Sequence, residues 1–494
     1  MKQDTTKSPI YAKIEKNDDY MKDNIGVGTS FDLGFRELSI LKRKVHLYYL
    51  TGLCDSSVVL HIIRQLVKIN DDESNTKKLP EIIENRIIFM QVNKTESLDE
   101  AVDQMLSGLI VIFVDGIKYA FIADTRNYPG RTPQEPDTEH VVRGSRDGFT
   151  ENIIENTALT RRRIRDARLR HEMLKVGERS KTDVCLCYIK DIANEGLVNE
   201  VKDRINQIEV DGIPMADKTL EEFILNEKWK AYPRVRYTER PDIASNHLME
   251  GHVLVIVDTS PSVMILPTTF FDHVQHAEEF RETSVLGTFI RWIRFLAIMI
   301  SIFLLPIWLL FALEPTLLPG ELTFIGPKDE GTIPIALQLI IADIGLEFLR
   351  MAAIHTPTPL STAMGLIAAV LIGQIAIDVG LFGPEVILYV SVSAIGIYVT
   401  PSYELGVANK ISRFGLVIIT GLFGMIGFTI ATTIYILLLV RMQSIKAPYM
   451  WPLLPFDPRG MYELLFRVPK PYSNRRPGVV HPRNDFSQPK TTGK

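Results

Sequence analysis

Up to about residue 290 the chain alternates short apolar runs with amphipathic stretches, from there to about 440 it is dominated by long apolar runs, and a polar, basic end follows. The first part repeats itself. VHLYYLTGL at 45–53 matches VCLCYIKDI at 184–192, and GLIVIFVD at 108–115 matches GHVLVIVD at 251–258. The offsets, 139 and 143 residues, are nearly equal, so order and spacing are retained between the copies. Each copy predicts a strand and then a helix (57–67 and 197–207). Each closes on a helix, a glycine and two strands (108–114 and 117–123; 252–257 and 262–266). Asp115 and Asp258 stand at equivalent turns, where Asp satisfies backbone N–H groups. Two α/β subdomains of related fold, each with a small mixed sheet, are expected at 35–127 and 143–285. A linker at 128–142, containing the Pro-rich YPGRTPQEPD, separates them, and residues 1–34 read as a polar N-terminal tail.

Four later stretches lack charge for long enough to span a bilayer: 295–313, 360–377, 386–403 and 414–440. Each has at least 18 residues, close to the roughly 20 that a hydrocarbon core of about 30 Å requires. A fifth, 333–354, is mostly apolar but contains Asp343, Glu347 and Arg350, and it runs into the helix-breaking HTPTP at 355–359. Whole-chain composition (46% hydrophobic, 23% charged, net charge −4) hides this division. Residues 295–440 carry 13 charged side chains in 146 positions, whereas the other 348 positions carry 101.

Flanking charge gives an orientation. Arg291 and Arg294 precede the first stretch, the loop at 314–330 is acidic, and residues 441–494 carry ten basic and three acidic side chains. The positive-inside rule then places both soluble ends in the cytoplasm, which requires an even number of crossings. Four crossings with 333–354 as a re-entrant or partial segment meet that requirement, although Lys410 and Arg413 then fall outside. The expected fold class is an α/β cytoplasmic region of two duplicated subdomains followed by an α-helical polytopic membrane domain (286–440) and a basic cytoplasmic C-terminal tail (441–494).

Asp343, Glu347 and Arg350 are spaced four and three apart and share one helical face. Ionisable groups at membrane depth are costly and face a bundle interior, a cavity or a permeation path. Repeated around a symmetric oligomer, Asp343 and Glu347 form carboxylate rings that favour cations. Alternatively, a Glu347–Arg350 or Asp343–Arg350 pair staples helices together. Ser361, Gly365, Ala369 and Gly373 make a small-residue stripe for helix packing. In the soluble part, RGSRDGFTENIIENTALTRRRIRDARLR at 143–170 carries Arg161, Arg162, Arg163, Arg165, Arg168 and Arg170. They fall on a predicted helix anchored by Phe149, Ile153, Ile154 and Leu159. No aromatic platform accompanies them, and residues 1–294 are acidic overall (41 basic, 47 acidic). Subunit contacts or anionic lipid headgroups are therefore expected, and no nucleic acid.

Other chemistry is not indicated. GVG at 26–28 does not follow a strand, so it is no dinucleotide fingerprint, and no P-loop, nucleophile elbow or zinc-protease motif occurs. His273, His276 and Glu279 read as a juxtamembrane helix surface. Cys54, Cys185 and Cys187 cannot make a disulfide framework, and Cys185 and Cys187 share one strand face as small buried hydrophobes. No enzyme activity, cofactor or metal is expected. The polar MKQDTTKSPIYAKIEKNDDY has no apolar h-region, so no cleaved signal peptide is expected either.

RGSRDGFTEN…RRRIRD, TERPD at 238–242 and VDTSPSVMILPTTF at 257–270 resemble the signature segments of the GerA family of spore germination proteins, in its A-subunit branch. The likeness runs from about residue 35 to 470. The ending APYMWPLLPFDPRGMYELLFRVP…RRPGVVHPRN departs from the plainer T-P-x-x-P-x-x-P ending of the nutrient-receptor A subunits. The resemblance implies a multi-pass protein of the endospore inner membrane, its termini on the spore-core side. It implies a homo-oligomeric, pentameric ring that conducts ions during germination beside other integral membrane germination proteins, and it carries over no catalytic residues. The competing expectation is a non-conducting scaffold that clusters germinant receptors.

Overall fold

The computed structural model describes residues 8–73, 79–87, 92–128, 139, 144–226, 230–328, 333–355, 365 and 373–488. A short helix α1 (Ile14–Tyr20) precedes the first copy, which runs β1 (Leu33–Ile40), β2 (Arg43–Leu50), α2 (Ser56–Asp72), α3 (Leu79–Arg86), β3 (Val92–Thr95), α4 (Leu98–Leu106), β4 (Ile110–Val114) and β5 (Ala120–Ala123). The second runs α5 (Ile153–Arg163), β6 (Leu169–Val176), β7 (Thr182–Ile189), α6 (Glu195–Asn206), α7 (Ala216–Leu225), β8 (Arg236–Thr238), α8 (Pro241–Glu250), β9 (Val253–Val257) and β10 (Val263–Leu266). The sheets have the same strand order, β1-β2-β4-β5-β3 and β6-β7-β9-β10-β8.

The repeat extends to register. Val45 pairs with Val114 and Leu47 with Ile112; Val184 pairs with Val257 and Leu186 with Val255. Every one of these strand pairs is antiparallel, so the expected mixed sheets are corrected. Helices cover both faces of each sheet, and this is why β4 (IVIFV) and β9 (VLVIV) are apolar at every position rather than alternating. In the first sheet Val111 and Phe113 pack on one side with Met105 and Leu98, while Ile110 and Ile112 pack on the other with Ile62 and Leu66. Side-chain caps start the covering helices: Asp55 accepts from Ser57 and Val58 N–H at α2, and Ser97 from Glu100 N–H at α4.

Among the described residues, both terminal regions pack against the subdomains. The segment expected as a polar tail, 1–34, places Ile10, Ile14, Met21 and Ile25 in the first core. Ile14, Met21 and Ile25 recur at helical spacing between charged residues, enough to bury one narrow stripe. At the other end, β11 (Gln443–Ser444) and β12 (Ala447–Pro448) place Ile445 in the second core. Phe270 N–H donates to Tyr449 O at 2.8 Å, and Arg483 N–H to Ile192 O at 2.9 Å. The C-terminal region thus lies against the second subdomain.

Between them comes a helical bundle: α10 (Ser284–Leu313), α11 (Ile335–His355), α12 (Pro384–Tyr398) and α13 (Tyr403–Arg441). A last helix, α14 (Pro458–Leu465), follows it. Among the described residues α10 and α13 are long and apolar enough to cross a membrane. Helix α13 is not one rod. It breaks at Gly424 (φ 57°, ψ −139°) and folds back on itself. Tyr232 Oη lies 3.1 Å from Asn409 Oδ1 and 3.0 Å from Tyr435 Oη, residues that a continuous helix would hold about 39 Å apart at 1.5 Å per residue. Glu314, at the end of α10, accepts from Met425 N–H at 3.0 Å and closes the turn. A Cβ at Gly424 would lie 2.6 Å from Glu314 Oε1. Gly424→Ala is expected to destabilise the solubilised protein by about 1–3 kcal/mol in thermal unfolding. Gly415→Ala, in a helical position with open space around it, should gain up to about 1 kcal/mol.

Candidate functional site

Helices α11 and α13 run antiparallel, and each presents two charges on the facing side. Asp343 and Glu347 lie four apart on α11; Lys410 and Arg413 lie three apart on α13. Arg413, fully buried, reaches Asp343 Oδ2 at 2.6 Å and Oδ1 at 2.7 Å. Lys410 Nζ sits 3.4 Å from Asp343 Oδ1 and 2.7 Å from Glu347 Oε2. Glu347 also pairs with Arg350, whose guanidinium covers the Tyr403 ring at 4.8 Å. The second Arg413 nitrogen donates to Ser301 O on α10 at 2.8 Å and to the Ser393 hydroxyl on α12. Arg413 thus ties four helices together, and three cations meet two carboxylates.

Of the sequence expectations, the Glu347–Arg350 pair forms, while Asp343 takes Arg413 and Lys410 rather than Arg350. Lys410 and Arg413 do not sit in an outer loop; they are inside the bundle. The matching spacings on 343–347 and 410–413 were the sequence signal for this, hidden because 403–413 read as a connection between spans. In the small-residue stripe, Ser361 and Ala369 lie outside the described residues. No described atom comes within 4 Å of a Cβ built on Gly365 or Gly373.

The arginine cluster does not form one exposed helical face, because α5 stops at Arg163. Arg161 is 1% exposed and binds Asp32 through Nε at 2.9 Å, with His171 Nδ1 3.0 Å from the same carboxylate. Burial raises the Asp32 pKa, but Arg161 and His171 outweigh it and hold the carboxyl well below its usual range. Arg163 pairs with Asp147, and Arg168 with Asp166 and Asp191. Arg170 is buried and donates to Ala167 O at 2.6 Å. Arg162 and Arg165 lie over the Tyr128 ring at 4.9 and 5.8 Å. Arg161, Arg163 and Arg170 are thus taken up within the chain, whereas Arg162, Arg165 and Arg168 stay exposed on its surface.

His273 is buried rather than on a helix surface, and His276 caps helix α9 (Ala277–Arg281) by accepting from Glu278 N–H. Glu279 is fully buried between Arg291, at 2.8 Å, and Arg294, which anchors the start of α10 to α9. Cys185 and Cys187 are buried in β7 with their sulfurs 3.5 Å apart.

The chain belongs to the GerA family: residues 19–479 match the family described as Bacillus/Clostridium GerA spore germination protein. Within it, the chain is 57% identical to stage V sporulation protein AF of Bacillus subtilis (strain 168), covering 97% of each. It is 29% identical to spore germination protein KA of the same organism, over 94% of this chain and 86% of that protein. It is 27% identical to spore germination protein GerLA of Bacillus cereus, over 94% and 95%. A crystal structure of the N-terminal domain of the A subunit of the Bacillus megaterium spore germinant receptor GerK3 aligns at 27% identity and TM-score 0.43, covering 54% of this chain and 98% of that one.

Proposed function

We propose that the chain is a subunit of an oligomeric, ion-conducting assembly of the spore inner membrane that promotes germination by releasing monovalent cations. The charge cluster carries this reading. Five ionisable groups held between apolar helices are expensive at membrane depth. Replacing buried ion pairs with apolar residues is often neutral or stabilising, so stability alone gives no reason for them. Family membership supplies the setting in spore germination.

The bundle geometry supports six crossings rather than four. Gln338 Oε1 accepts from Gly383 N–H at 2.9 Å, near one end, whereas Arg350 and Tyr403 meet near the other. The two halves of α13 add two crossings to α10, α11 and α12, and the span expected from the sequence at 360–377, most of which lies outside the described residues, would bring the number to six. An even number fits the contacts that hold the C-terminal region against the second subdomain. Leu422, Phe423 and Ile426 at the α13 turn, and Phe348 and Met351 on α11, are exposed apolar groups suited to lipid or to neighbouring copies.

In one chain the two carboxylates are neutralised, with one cation to spare, which opposes cation passage. Conduction therefore requires α11 to part from Lys410 and Arg413 and bare Asp343 and Glu347. Protein reconstituted in potassium-loaded vesicles is expected to release K⁺ well above protein-free vesicles; release at the protein-free rate sinks the channel and leaves a scaffold. The scaffold would rest on the exposed Arg162, Arg165 and Arg168, since Arg161, Arg163 and Arg170 are engaged inside the chain.

A further inference from the structure

We propose that His247, Glu250 and His252 form a binding site for a divalent transition metal of the zinc class, independently of any conduction. The site is built by the end of α8. His247 and Glu250 lie three apart, on one face of its last turn. Gly251 (φ 104°) ends the helix in a left-handed turn, and His252 N–H donates to His247 O at 3.0 Å. That turn brings the His252 ring back over the helix end, 4.7 Å from the His247 ring. Donor atoms of all three residues lie within 4.8 Å of one another.

Two features distinguish this trio from an ordinary polar cluster. His247 Nδ1 and His252 Nε2 are buried without a hydrogen-bond partner, on side chains 6% and 2% exposed. An unmet buried polar atom has lost its water without compensation, and a ligand would restore the missing partner. The outer contacts are also those of a ligand set. His252 Nδ1 lies 3.3 Å from His247 O, which places the proton on Nδ1 and leaves the Nε2 lone pair free. Asn246 Nδ2 donates to Glu250 Oε1 at 2.8 Å, leaving Oε2 3.7 Å from His247 Nδ1. Ligands at tetrahedral Zn–N and Zn–O distances of about 2.0–2.2 Å lie about 3.3 Å apart, so small side-chain rotations close the set.

Burial lowers the pKa of both imidazoles and favours the neutral, ligating form, with the charges of His252 and Arg236 adding to it at His247 and Asp272 opposing it at His252. Arg236 Nη1 donates toward His247 Nε2 at 3.4 Å, so ligation through Nδ1 requires the ring proton to move to Nε2 and this long contact to open, while Arg236 keeps Asp272 O at 2.9 Å and Glu139 Oε1 at 3.3 Å. All three ligands border a cavity of about 490 Å³ between α8, the start of α10 and the C-terminal region, lined also by Phe271, Arg291 and Trp451. The fourth coordination position opens into it, as at zinc sites that keep an exchangeable ligand.

The test uses untagged full-length protein in detergent, stripped with a chelator and titrated with Zn²⁺ against a chromophoric competitor, and with Co²⁺ for its visible spectrum. One Zn²⁺ per chain and four-coordinate Co²⁺ bands are expected. Asn246→Ala should weaken Zn²⁺ about 10–100-fold, and His252→Gln and Glu250→Gln should weaken it more. Zn²⁺ should raise the melting temperature of the parent protein and leave that of His252→Gln unmoved. Substoichiometric binding, or the parent's affinity retained in both Gln variants, means an adventitious ion only and overturns the site. Because the spectrum and stoichiometry are read on the parent protein, a variant that fails to fold does not spare the proposal.

Discussion

Arg413→Ala is expected to destabilise the helical bundle by about 3–5 kcal/mol, the largest effect of any single change there. The loss comes from leaving Asp343, 2% exposed, as a carboxylate whose principal partner is gone. Lys410, at 3.4 Å and shared with Glu347, compensates poorly. Ser393 and the Ser301 carbonyl also lose the donor they face on neighbouring helices. Charge, not volume, is the cause, so the pair Asp343→Asn with Arg413→Gln should be much less harmful than Arg413→Gln alone. Thermal unfolding in detergent distinguishes the outcomes: equal losses in the single and double variants would show that the pair is not coupled.

The second large effect lies between the subdomains. Arg161→Ala should cost about 3–5 kcal/mol, because Asp32 and His171 remain buried around the gap. The same triad gives a pH dependence. Burial works against the His171 charge, but Asp32 outweighs it and raises the pKa to about 9, above the roughly 6.5 of an unfolded His. A raised folded-state pKa stabilises fully below the unfolded value and loses that contribution as pH rises through the folded one. The melting temperature of the parent protein should therefore fall between pH 7 and about 9.5, and Asp32→Asn should flatten that slope.

The duplication was legible because it rests on apolar runs long enough to be matched, and the pairs Val45–Val114 and Val184–Val257 reproduce its offsets. The outer strands β1 and β6 escaped because they carry charged residues along a partly exposed edge, such as Arg36 and Glu37 or Glu172 and Lys175. The break in α13 escaped for the opposite reason: 414–440 contains neither charge nor proline, and a lone Gly424 does the turning. The candidate site was half visible. Spacing gave Asp343 and Glu347, but their partners lie 63 to 70 residues away, a pairing no local pattern encodes. The arginines posed the same difficulty, since Arg161 finds Asp32 across 129 residues. HLMEGH at 247–252 has no recognisable ligand spacing and becomes a cluster only once Gly251 turns the helix end.

On the proposed function, the α11–α13 charge cluster lies on an ion pathway. It is tested most directly by recording currents from the reconstituted protein under a KCl gradient, for the parent chain and for Asp343→Asn combined with Glu347→Gln. A cation-selective current in the parent, with the reversal potential shifted toward zero in the variant, is the predicted result. The same selectivity in both proteins would contradict it.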